Sequence, residues 1–304
     1  MDDDKHRVYL PFAIIIAIIA VSTASLFIRF AQQEAPSLVI AALRLTFASL
    51  MLAPLALIRY KEELIALSKK EILLALLSGF FLAIHFATWI TSLEYTSIAS
   101  SVVLVSTAPL WVALLSPLIF NEKITRNLVL GLVLALGGGT IIAISDSCTW
   151  QAGLNCPDLS ILFYGRSMVG NILALLGAFA VTGYLLIGRR LRAKMSLIPY
   201  IFVVYSMAAI VLLSIMFIAG QSPFGYPKVT YIWLFLLALI PQIIGHSTYN
   251  WVLRYIPDSL VAITTLGEPV GSTILAYFIL NESPGLIKIG GAILILLGIL
   301  ITSR

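Results

Sequence analysis

Whatever chemistry this 304-residue chain performs must start from the few ionisable side chains that interrupt its long apolar runs. Glu268 lies inside the run 258–280, directly before Pro269. Helical rise puts it about 15 Å from the nearer end. A charge at such depth costs about 2.5–3.5 kcal/mol on insertion scales and is a functional candidate by default. A carboxyl there could take up and release a proton and so couple another process to a proton gradient. It could equally cap the backbone groups freed by Pro269 or bond a neighbouring helix. Arg44 stands in the run 38–58, about 9 Å from one end. It could bind a carboxylate ligand, pair with Glu268, or snorkel outward along its own stem. A phosphorylated ligand would call for several basic groups, and one Arg argues against it.

Gln242, His246 and Asn250 recur every four residues and so share one helical face. His85 and Trp89 form a shorter pair of the same spacing, and Tyr249 adds an aromatic hydroxyl beside Asn250. Together Arg44, His85, Trp89, His246, Tyr249 and Asn250 are the candidate ligand-binding side chains, with Glu268 the coupling candidate. The alternative for the ring and amide groups is hydrogen bonding between helices, worth about 1 kcal/mol each; Asn250, near one end of its run, fits that better. Pro109 and Pro269 are candidate helix breaks or gating points. No catalytic set is evident: Gly-x-Ser-x-Gly and His-Glu-x-x-His are absent, and no span interior carries Asp. Gly137-Gly138-Gly139 lacks the strand and Lys-Ser/Thr of a phosphate loop. Cys148 and Cys156 have no His beside them, which disfavours zinc; no motif calls for a metal or cofactor.

The elements that must position these groups follow from composition. With 60% hydrophobic and 11% charged residues, the chain is far from the roughly 25% charge of soluble domains. The net charge of +5 forms no basic patch with interleaved aromatics, which argues against nucleic acid. Apolar runs at 10–30, 38–58, 71–92, 97–119, 126–145, 169–188, 197–219, 229–251, 258–280 and 285–302 are each long enough for a bilayer core. The fold class expected is an all-α polytopic membrane protein of ten transmembrane helices. Lys and Arg concentrate in alternate loops (Arg59, Lys61, Lys69, Lys70; Lys123, Arg126; Arg189, Arg190, Arg192, Lys194; Arg254). The positive-inside rule then places both termini in the cytoplasm. It also puts Cys148 and Cys156 outside, where a disulfide or two unpaired thiols are open alternatives.

An internal repeat organises the runs. At a constant offset of 160 residues, Leu93 and Tyr95 fall on Leu253 and Tyr255, Pro109 on Pro269, and Asn121-Glu122 on Asn281-Glu282. Gly131 and Gly138 fall on Gly291 and Gly298, and Arg29 on Arg190 at an offset of 161. Five spans per half is an odd number, so the second half would enter the membrane inverted. Such repeats mark secondary transporters, with the ligand site near the midplane. The division expected is 1–146, an extracytoplasmic insertion at 147–168, and 169–304.

Pro109 to Asn121-Glu122-Lys123 with Gly131, Glu268-Pro269-Val270 to Asn281-Glu282 with Gly291, and the stretch Gly245 to Trp251 together resemble the EamA-like family of the drug/metabolite transporter superfamily. The resemblance covers nearly the whole chain apart from 146–168. It implies ten helices around a central cavity and alternating access for a small organic solute, often carried outward. Amino acids or similar metabolites across a plasma membrane are the first expectation, with no enzymatic activity. An uncoupled facilitator or importer, a scaffold and an intramembrane enzyme stand as alternatives. The partners implied are the solute, the bilayer and protons, and a homodimer is left open beside a monomer.

Overall fold

The structure, a computed structural model, describes residues 2–120, 125–147, 149–150, 154–155, 165–252, 255 and 267–302. The first apolar run folds as α1 (Asp2–Ser22) and α2 (Ala24–Ala31), broken at Thr23. Ser22 Oγ donates to Ile18 O and Thr23 Oγ1 to Ala20 O, both at 2.7 Å. Hydroxyls that bond back onto the preceding turn compete with the ladder and bend a helix. Next, α3 (Ser37–Arg59) starts after the extended Pro36, and a short α4 (Lys61–Ala66) follows. A capping box between Ser68 and Glu71 starts α5 (Lys69–Tyr95).

The fourth run is also broken, into α6 (Ile98–Val105) and α7 (Ala108–Phe120), just ahead of Pro109. Proline cannot supply the ladder N–H and restricts the residue before it, so a helix ends there. After α8 (Arg126–Ser147), β1 (Thr149–Trp150) and β2 (Leu154–Asn155) pair antiparallel, Thr149 opposite Asn155, a small strand element that the purely helical expectation did not contain. Two long helices follow, α9 (Arg166–Arg192) and α10 (Leu197–Ile218). The eighth run is α11 (Lys228–Leu237), a π-helical stretch Ala238–His246, and α12 (Ser247–Val252). Pro241 lies inside the π stretch, where wider winding accommodates a ring that an α-turn would clash with. Finally come α13 (Gly267–Leu280) and α14 (Leu286–Thr302).

Among the described residues, seven helices are long and apolar enough to cross a membrane, the first Tyr9–Ala31 and the last Lys228–Val252. Two shorter apolar helices, Arg126–Ile142 and Leu286–Ile301, join them. The chain is thus a helical polytopic membrane protein; the ninth apolar run is described only from Gly267.

One large core joins α2, α3, α5, α9, α10 and α11 through Ile28, Ile40, Leu45, Phe86, Trp89, Tyr200, Tyr205 and Leu234. A second, around Leu104, Leu110, Ile142, Ile295 and Ile299, packs α8 and α14 against α6 and α7. The α8–α14 contact is backbone on backbone. A Cβ at Gly138 would lie 2.5 Å from Gly291 O, one at Gly291 2.8 Å from Gly138 O, and one at Gly298 2.6 Å from Gly131 O. Only glycine permits that approach. The pairs run 131 to 298 and 138 to 291, so the two helices are antiparallel. Gly137 and Gly290 face open space.

Candidate binding site

Arg44, in the middle of α3, is completely buried. Its Nε donates to Gln242 Oε1 at 2.9 Å, which ties α3 to the π stretch. The guanidinium carbon stands 4.1 Å from the centre of the Phe86 ring and 5.9 Å from that of Trp89. Both ring faces offer negative quadrupole to the cation. Yet among the described residues Nη1 and Nη2 have no hydrogen-bond partner. A buried guanidinium is expensive without a counter-ion, about several kcal/mol even after relaxation. No ion pair joins Arg44 to Glu268 within 4 Å among the described residues; the two lie only within electrostatic reach of one another. Snorkelling is ruled out by burial.

The surroundings are donors and ring faces. His85 lies in the same α5 turn region as Phe86 and Trp89, stacked on Trp89 at 5.8 Å and 16°. Its Nδ1 is 2.9 Å from Gly177 O, and a carbonyl only accepts, so Nδ1 carries the proton. His246 meets Phe86 edge to face at 5.8 Å. Among the described residues, Trp89 Nε1 and the Tyr249 hydroxyl are buried without hydrogen-bond partners. Glu268 belongs to the first turn of the described α13 and also acts electrostatically on Tyr249. α13 is held in place at the α1–α2 break, where Ser272 Oγ donates to Ser22 O at 3.1 Å and Gly271 abuts the Ser22 side chain. Arg44, Gln242, Phe86, Trp89 and His246 thus form one cluster, with Tyr249 and Glu268 at its border.

A family model for EamA-like transporters matches residues 10–144 and, separately, residues 168–304. The chain belongs to the EamA-like transporter family. An uncharacterised transporter from Archaeoglobus fulgidus is 22% identical over 280 residues, 91% of each chain. A protein of known crystal structure, 17% identical, superposes with a TM-score of 0.64 over 97% of this chain and 96% of its own, a likeness of fold.

Within this EamA-like protein the predicted residues divide. Asn250 turns to α9: Tyr184 Oη donates to Asn250 Oδ1 at 3.0 Å, and Asn250 Nδ2 bonds His246 O at 2.8 Å. Its contact with Tyr184 ties α12 to α9. Pro269 is buried in α13 and Pro109 sits one residue into α7 after the break. Cys148 and Cys156 lie outside the described residues. Phe86 and Tyr205 escaped the sequence reading; Phe86 follows His85 in a run rich in Phe, so its identity carries no signal. Gln242 was seen only as one member of a polar face. In the structure that face serves three partners: Gln242 meets Arg44, His246 meets Phe86, and Asn250 meets Tyr184.

Proposed function

We propose that this EamA-like protein is a secondary carrier of small carboxylate-bearing metabolites, amino acids first, moved outward across the plasma membrane by alternating access. The observation that carries this reading is the buried Arg44, whose Nη1 and Nη2 lack partners beside two aromatic faces. A carboxylate would close both open nitrogens in the bidentate geometry that guanidinium prefers. An ammonium group would turn toward Glu268, and an apolar side chain toward Phe86, Trp89 and Tyr249. Ten spans in two inverted halves fit this mode of action. Support comes from the two separate matches to one family model. It also comes from the glycine contacts: Gly131 meets Gly298 and Gly138 meets Gly291, so an offset of 160 exchanges the two pairs, as a two-fold axis between inverted halves would. The Lys and Arg asymmetry favours both termini in the cytoplasm.

Glu268 is proposed as the proton-coupling group because it is a carboxylate in an apolar run that lies within electrostatic reach of Arg44. Counterflow in liposomes tests both parts, with labelled amino acids and polyamines offered with and without a pH gradient. Amino acids should exchange and polyamines should not. Glu268→Gln should keep exchange while losing the gradient effect. Wild-type rate and gradient response in Glu268→Gln would remove the coupling role.

A further inference from the structure

The duplicated Asn-Glu motif has a use that ligand binding does not absorb. Asn281 follows α13 with φ +56, the left-handed region that Asn tolerates at a helix end. Glu282 N then donates back to Ala276 O at 3.1 Å, which aims the Glu282 side chain across the bundle. There it meets the first half of the chain. Oε1 lies 3.2 Å from Arg29 Nη2, at the end of α2, and Oε2 accepts from Ile98 N–H, the first residue of α6, at 3.0 Å. Arg29 Nη2 also donates to Thr96 O at 2.8 Å, and Lys288 Nζ to Ser97 Oγ, the N-cap of α6, at 2.9 Å. The start of α6 is therefore clasped by two charged side chains from the α13–α14 turn region, a carboxylate at the electropositive helix end among them.

Position makes the clasp consequential. α13 packs between α1 and α2 on one side and α6 on the other. Beneath the clasp is a cleft of about 130 Å³ lined by Ser97, Thr273, Ala276 and Pro284. Parting the end of α13 from α2 requires Glu282 to leave Arg29, and parting it from α6 requires Glu282 to leave the Ile98 N–H.

We propose that Arg29 and Glu282 are the gating latch of this end of the carrier, the end that the Lys and Arg distribution assigns to the outside: the pair holds it shut and must break for it to open. The proposal rests on the alternating-access reading, and its test needs no cargo. In a chain carrying Cys148→Ser and Cys156→Ser, Ala276→Cys reports on the buried cleft wall. The reconstituted protein is treated with a membrane-impermeant maleimide from each side in turn. Glu282→Gln and Arg29→Gln should each raise labelling several-fold from the Arg29 side alone, and Arg29→Lys, which keeps the charge, should stay near the parent. Unchanged labelling in both neutral variants would overturn the latch. So would a rise equal from both sides and matched by a fall in melting temperature, which would mean general loosening. A one-sided rise in protein that exchanges no solute would sustain the latch and count against the cargo reading instead.

Discussion

Arg44 illustrates how one buried side chain can set opposite demands on stability and binding. Burying a cation with two unpartnered nitrogens costs free energy, and an apolar residue of similar volume in such a place is often neutral or stabilising by about 1–4 kcal/mol. Arg44→Met is therefore expected to keep or raise the melting temperature in detergent while abolishing uptake of carboxylate solutes; a thermal-unfolding curve beside a counterflow assay checks both. Gln242→Leu has the opposite sign. It strips the acceptor from Arg44 Nε and leaves a third buried donor unsatisfied, a loss of about 1–3 kcal/mol, visible as a lower melting temperature. At this scale the sequence was partly legible. A lone Arg and a lone Glu in apolar runs announce themselves, because burial of charge is costly in any membrane fold. Phe86 does not, since a ring that serves as a cation's wall looks the same in sequence as one that fills a core. Whether Arg44 meets Glu268 or Gln242 depended on helix rotation, which hydropathy leaves free.

The helices show why breaks were harder to read than spans. The described parts of the long apolar runs are helical because nothing else satisfies the backbone in lipid, and the turns at Pro36 and at Ser68–Glu71 follow from their residue types. The breaks at Thr23, at Ser106–Thr107 and through the π stretch fall within apolar runs. Pro109 and Pro241 were visible causes of two of them; the hydroxyl back-bonding at Ser22 and Thr23 is a local competition that sequence patterning does not rank. The α8–α14 seam yields a paired prediction. Gly138→Val drives a side chain into Gly291 O and should destabilise by about 1–3 kcal/mol. Gly137→Ala, with open space around it, should be neutral or gain up to about 1 kcal/mol of helix propensity. Thermal melts of the two variants side by side separate a packing glycine from a permissive one.

For the whole molecule, the repeat and the charge asymmetry supplied the expected plan; the antiparallel glycine seam and the contact of Arg29 with Glu282 join residues from the two expected halves. The two segments pack against each other through α5 on α9, through α3 and α5 on α10, and through α8 on α14, so the movement proposed for a carrier must slide packed helices while keeping their backbone satisfied in lipid. Within the expected insertion at 147–168, the described residues form the short β1–β2 pairing. The most direct measurement of the central claim is equilibrium binding to purified protein of matched solute pairs, an amino acid and the amine left when its carboxylate is removed. The account predicts saturable binding of the amino acid, at least about tenfold weaker binding of the amine, a discrimination within reach of one buried charge-assisted pair, and loss of amino-acid binding in a well-folded Arg44→Met. Equal affinity for both members of the pair, or undiminished amino-acid binding in Arg44→Met, would contradict it.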